Sequence, residues 1–257
     1  VVLDRVRSLT LHDLTDGSMI CRLTQIAEPS LNCTAEGEEV TDALGSRITT
    51  MYRAKAAEFT ANNALFSLDL AAAQYGTKKE VADTGSTITD YTYDILTFTA
   101  GTAAGGVALT HTPDDAASIR YAYEIVNGGI GRTFTAGAAA SATEFQVSTN
   151  KIIPPTGFTG QLFVEYTYEA ESAVRVHNSA TNFPETCSAI AYVIFRDVCN
   201  ENVVYSGKIV MPKAKLNPES IEIALTSTGQ HPFSLQLNKD YCDEINATLF
   251  DIIVAEE

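Results

Sequence analysis

Tryptophan is absent from the 257 residues, and cations are scarce: 17 Lys and Arg stand against 32 Asp and Glu, a net charge of −15. Without indoles a sugar-stacking cleft would have to rest on the eleven Tyr. The few cations are unclustered, which disfavours a grip on nucleic acid. The acidic excess runs along the whole chain, so it belongs to the folded surface and not to a tail. No apolar run reaches the roughly 18 residues of a membrane span. No long apolar segment follows Val1, so no signal peptide is expected. Five cysteines (Cys21, Cys33, Cys187, Cys199 and Cys242) are an odd number, which argues against a disulfide framework and for free thiols made in a reducing cytosol.

Signatures of chemistry are missing too. The four histidines (His12, His111, His177 and His231) form no HExxH or HxH pattern. The Cys21/Cys33 and Cys187/Cys199 spacings match no zinc template. No G-x-S-x-G elbow presents a serine nucleophile. Gly129-Ile130-Gly131 lacks the third glycine and the helix of a dinucleotide loop, and Gly76-Thr77-Lys78-Lys79 is no phosphate loop. Asp13-Leu14-Thr15-Asp16-Gly17 lacks the alternating oxygens of a calcium loop and reads as a hairpin turn. No catalytic residue, cofactor or metal is therefore expected. A β-sandwich glycoside hydrolase stays as a competing reading only because two of 32 carboxylates could meet in space.

What the sequence does have is alternation. Leu162, Val164, Tyr166 and Tyr168 alternate with Phe163, Glu165 and Thr167. Ile119, Tyr121, Tyr123 and Ile125 alternate with Arg120, Ala122 and Glu124, and Ile221, Ile223 and Leu225 with Glu222 and Ala224. Each reads as a strand with its large apolar residues buried. Ala189 to Phe195 is apolar on both faces and belongs in the middle of a sheet. Asp16-Gly17 predicts a hairpin joining 5–14 to 18–26, and Asn127-Gly128-Gly129 another turn. Helical spacing occurs once, from Asn63 to Tyr75. Leu65, Leu68, Ala72 and Tyr75 form its stripe, Ser67, Ala71 and Gln74 its solvated side, Asn62 or Asn63 its cap, and Gly76 its stop. Residues 28–47 lack periodicity and read as a long polar loop, a length usually associated with function. From 96 to 171 the side chains are small, Thr, Ala and Gly dominating around 99–106 and 135–143, with short strands between turns. That predicts an inserted immunoglobulin-like β-sandwich inside a parent domain made of 1–95 and 172–257.

Three stretches carry a likeness. The first runs from Gly37-Glu38-Glu39-Val40-Thr41-Asp42-Ala43-Leu44-Gly45 into a strand over Arg47–Phe59 and the helix. The second is Ser206-Gly207-Lys208-Ile209-Val210-Met211-Pro212-Lys213-Ala214-Lys215, followed by a strand over Ile221–Leu225. The third is Thr228-Gly229-Gln230-His231-Pro232-Phe233-Ser234, leading to strands near Leu235 and Ile252. In these the chain resembles the tail tube (major tail) proteins of tailed bacteriophages. The resemblance implies a mainly β fold, a sandwich or barrel with one packed helix, carrying an inserted immunoglobulin-like module. It further implies a non-enzymatic virion protein, made in the host cytoplasm, whose copies form hexameric rings stacked into a tube. Its partners would be itself, other tail proteins, and DNA passing through the lumen without specific binding. The 28–47 loop, with Glu36, Glu38, Glu39, Asp42 and Arg47, would meet the neighbouring subunit. A capsid decoration protein with an immunoglobulin-like domain is the alternative.

Overall fold

The computed structural model describes residues 1–100, 105–200, 202–218, 221, 230–240 and 247–255, and of Arg53 the backbone alone. The expected strand at Ile221–Leu225, the pair Thr228-Gly229 and Cys242 lie outside the described residues, apart from Ile221 itself. The fold is mainly β, with one α-helix among the described residues. The chain divides into two compact units, Val1–Lys79 with Val176–Glu257, and Glu80–Arg175.

The first unit opens with β1 (Val2–Asp13), β2 (Met19–Leu23), β3 (Ile26–Thr41), β4 (Arg47–Asn63) and α1 (Leu68–Tyr75). Along the second unit run β5 (Glu80–Val81), β6 (Ile88–Phe98), β7 (Val107–Ala108), β8 (Tyr121–Val126), β9 (Gly129–Gly137), β10 (Glu144–Ser148), β11 (Lys151–Ile153), β12 (Gly160–Ala170) and β13 (Val174–Arg175). The chain then returns to the first unit as β14 (Thr186–Arg196), β15 (Val204–Leu216), β16 (His231–Leu237) and β17 (Asp251–Ala255). An expected boundary at residue 95 would cut β6, which lies whole in the second unit.

The sheet of the first unit runs β2-β1-β14-β15-β16-β4-β3, with β17 on the lower part of β15. It curls until β1 passes beside β3, giving a nearly closed barrel. The apolar run at Ala189–Phe195 is central, as its two-sided composition predicts: β14 lies between β1 and β15. Ala189, Ala191, Val193 and Phe195 point into a core with Leu9, Leu11, Phe59, Met211 and Leu235. The Asp16-Gly17 hairpin forms as expected. Gly17 takes a positive φ of 72°, and Asp13 and Asp16 accept the amides of Thr15 and Ser18.

The helix begins a turn later than its spacing predicts. Ser67, not Asn62 or Asn63, is the cap: its side chain accepts the amide of Leu70 at 3.3 Å. The later start rotates the buried stripe. Leu65 and Phe66 are exposed, while Ala71 and Gln74, expected in solvent, are buried beside Leu70 and Ala72. Gln74 tolerates burial because its amide donates to Pro232 O at 3.0 Å and its Oε1 meets His231 Nε2 at 2.7 Å.

His231 is 1% exposed, and Phe66 stacks on it at 5.1 Å. The Ser67 amide donates to its Nδ1, so Nε2 carries the proton. Burial holds the ring's pKa below the usual 6.5. As pH falls through that value the unfolded chain takes up a proton that the folded chain refuses, so stability is full above about pH 6.5 and declines below it. Thermal melts should show a lower midpoint at pH 5.5 than at pH 7.5, and His231→Gln should shrink that difference.

In the second unit seven strands form one path, β6-β12-β8-β9-β10-β11-β7, with β9 and β10 parallel. An immunoglobulin-like sandwich has two separately bonded antiparallel sheets, so this connectivity departs from the expected pattern. Leu96, Phe134, Phe145, Ile152, Leu162 and Val164 fill its core. β12 buries Leu162, Val164 and Tyr166 as its alternation predicts, but β8 is turned over. Ala122 faces inward opposite Phe134, and Tyr121 is exposed. The small residue is the one that fits between bulky core rings. Tyr123 instead packs outside against Phe163, which also stacks with Tyr93 at 5.2 Å. Inside, the Tyr166 hydroxyl donates to Asp94 at 2.8 Å while accepting the His111 amide. Burial pushes its pKa up to about 12. Burial also acts to raise Asp94, but hydrogen bonds from Thr110 and Tyr166 outweigh it and hold that carboxyl low.

Candidate functional site

Residues 28–47, expected as a loop, are mostly strand. β3 pairs with β4 from Ile26↔Asn63 down to Thr41↔Arg47, interrupted by bulges near Glu28, Glu36 and Val40. Pro29, which has no amide hydrogen, sits in the first bulge, where Glu28 takes a positive φ of 50°. The alternation that normally betrays a strand is missing because neither face is buried: every residue from Asn32 to Thr49 is exposed.

Pairing explains this exposure. β16 covers the free edge of β4 only at Ala57–Asn63. From Ala56 to Arg47 the described residues give β4 one neighbour, β3. The distal part of the hairpin is therefore a two-stranded arm. Ten residues of β4 extend about 33 Å beyond its last bond to β16 at ordinary strand rise.

At the tip, Asp42 organises the turn. Its Oδ1 accepts the amides of Leu44 at 2.9 Å and Ser46 at 2.7 Å, and Gly45 takes a φ of 84°. Leu44 is thereby held outward at 92% exposure, the most exposed large apolar side chain among the described residues. Asp42→Ala should cost about 1 kcal/mol of local order, read as faster amide exchange at Leu44 and Ser46 with an unchanged melting midpoint.

Of the five predicted site residues, Glu39 and Arg47 are brought together as an ion pair. Asp42 is committed to the turn, Glu38 lies opposite Met51, and Glu36 sits in a bulge. Sequence reasoning missed the apolar side chains of the arm: Leu44, Ile48, Met51 and Tyr52 are all more than half exposed. Tyr52 lays its ring over Gly37 on the opposite strand, where a Cβ would come within 3.2 Å of it. A leucine between Ala43 and Gly45, inside a turn, was the available signal.

Elsewhere the thiols divide by location. Cys21 and Cys187 are buried, which pushes their pKa values up to about 12 and about 11; Cys33 and Cys199 are exposed. All four are free. Among the described residues, no group of three His, Cys, Asp or Glu side chains could hold a metal ion, and no helix is long and apolar enough to cross a membrane.

Barrel and arm together make a mainly β protein that leaves apolar surface uncovered on a projecting hairpin. The chain belongs to the YomU/Tube protein family, whose model matches residues 1–248. A search of curated proteins finds no match.

Proposed function

We propose that the chain is the subunit of a tailed-phage tail tube, a structural virion protein and not an enzyme. Its copies associate into rings, expected to be hexameric, and the rings stack into a conduit. The observation that carries this reading is the arm. Four large apolar side chains on a two-stranded ribbon with an open edge are an aggregation hazard unless another chain covers them. Membership of a family described as tube proteins supports the same conclusion. Glu36, Glu38, Glu39, Asp42 and Arg47 would supply the polar rim of that contact. A net charge of −15 suits a lumen that repels DNA and lets it slide. The unit at 80–175 is an inserted module of the assembled particle.

Negative-stain microscopy of concentrated protein tests the reading. Tubes or stacked rings are expected. Monomers under every condition, including with tail initiator proteins, would refute it. Binding to capsids without tube growth would favour a decoration protein, a role that the outward row of Tyr93, Phe163 and Tyr123 would also suit.

A further inference from the structure

The first unit contains a second feature that the arm leaves unexplained. A cavity of about 200 Å³ opens beside the end of α1. Leu11, Ile20, Ala73 and Leu216 form apolar walls, and Asp13, Lys78 and Glu185 stand in its lining with charges of both signs. An apolar cavity of about 150 Å³ takes a benzene ring, so this one has room for one branched aliphatic side chain.

Strand register fixes where the cavity lies relative to the arm. Asp13 of β1 is level with Cys187 of β14, and Cys187 with Ala214 of β15. Ala214 is level with Leu237 of β16, and Leu237 with Ala57 of β4. Leu11, Cys187 and Leu216 thus mark one end of the strands. From Ala57 the hairpin runs away from that end to its tip at Asp42–Ser46. An apolar knob and an apolar hole therefore occupy opposite ends of one unit. Complementary patches at different places on one chain make a heterologous contact, which propagates head to tail instead of closing as a two-fold dimer.

We propose that Leu44 of one copy seats in this cavity of the next copy along the tube. The proposal rests on the tube reading and names the contact that joins successive layers. The tip carries Asp42 and the Glu39–Arg47 pair, and the cavity lining carries Asp13, Lys78 and Glu185, so each side brings two carboxylates and one cation, with Lys78 available to an acid of the tip and Arg47 to an acid of the lining. Leu44 supplies the apolar plug, and the charges set its approach.

Two variants separate the halves of the contact. Leu44→Asp spoils the knob at an exposed position, and Ala73→Phe fills the hole from its wall. Each alone should raise the concentration needed for tube growth at least tenfold, while Leu44→Met stays near wild type. An equal mixture of the two should give short stacks with a single junction, because the Ala73→Phe copy still has its knob and the Leu44→Asp copy its hole. Should Ala73→Phe melt early, a cysteine pair replaces it. Leu44→Cys with Lys78→Cys, in a chain whose Cys33, Cys199 and Cys242 are serine and whose Cys187, which lines the cavity, is alanine, should yield a ladder of disulfide-linked multimers on oxidation, and neither single variant should. Wild-type tubes together with normal growth of Leu44→Asp and no ladder would overturn this contact and leave the tube reading standing. A wild-type protein that never grows tubes would overturn both.

Discussion

Replacing residues 37–52 with an Asn-Gly turn is expected to give a well-folded monomer that cannot assemble. The excised segment lies wholly beyond the point where β16 stops bonding to β4, so the barrel keeps all its strand pairs except the distal rungs of the hairpin itself. The two-residue turn matches the twist of the shortened strands. None of the removed side chains belongs to the core of the first unit, so the melting midpoint should move little. Leu44, Ile48, Met51 and Tyr52 go with it. Covering such side chains is worth roughly 1.5–3 kcal/mol each at full burial, and ordering costs reduce that. The loss should still be on the order of 5 kcal/mol per junction, enough to abolish growth at micromolar concentration. Sedimentation of the shortened chain beside wild type, with melting curves of both, makes the comparison. Loss of the fold along with assembly would show that the arm is part of the barrel and not an appendage.

Gly76→Val should damage the first unit severely although it removes no core side chain. Gly76 ends α1 in the left-handed region, with φ at 67°, and its amide and that of Thr77 close the last turn onto Ala73 and Ala72. A branched side chain resists that φ at a cost of about 1–2 kcal/mol. Space adds to the penalty: a Cβ at this position would stand 2.2 Å from the carbonyl oxygen of Phe183, and backbone cannot swing aside. Together these should cost about 3 kcal/mol or more. Gly45 is the control. Its φ is also positive, at 84°, but nothing lies within 4 Å of its missing Cβ. Gly45→Ala should cost only about 1 kcal/mol. Denaturant midpoints read both, with the slope expected to stay constant.

The sequence was most legible where burial was one-sided. β12 announced itself because alternate residues meet core and solvent, β14 because its run is apolar on both faces, and the Asp16-Gly17 turn because only a few residue types tolerate its backbone. Reading failed where that asymmetry was absent. The arm looked like a loop because water reaches both of its faces. β8 was read inside out, since Tyr and Ile outweigh Ala122 on any hydropathy scale, yet the room opposite Phe134 admits only the small residue. The helix start was misplaced because Asn62 or Asn63 was read as the cap and Ser67 as part of the solvated side. β4 continues through Asn63, which leaves Ser67 to cap the helix. Of the five residues expected at a subunit contact, Glu39 and Arg47 form an ion pair within the arm; the apolar tip they flank was not legible in the sequence.

Glu80–Val81 and Val174–Arg175 are antiparallel partners, locked further by an Arg175–Glu80 ion pair at 2.7 Å. The polypeptide thus enters and leaves the second unit through one antiparallel pair of strands. A cassette whose ends lie a strand's width apart, about 5 Å, could be spliced onto that pair in place of residues 82–173 without lengthening either side. The barrel would then serve as an interchangeable chassis, able to carry foreign cargo.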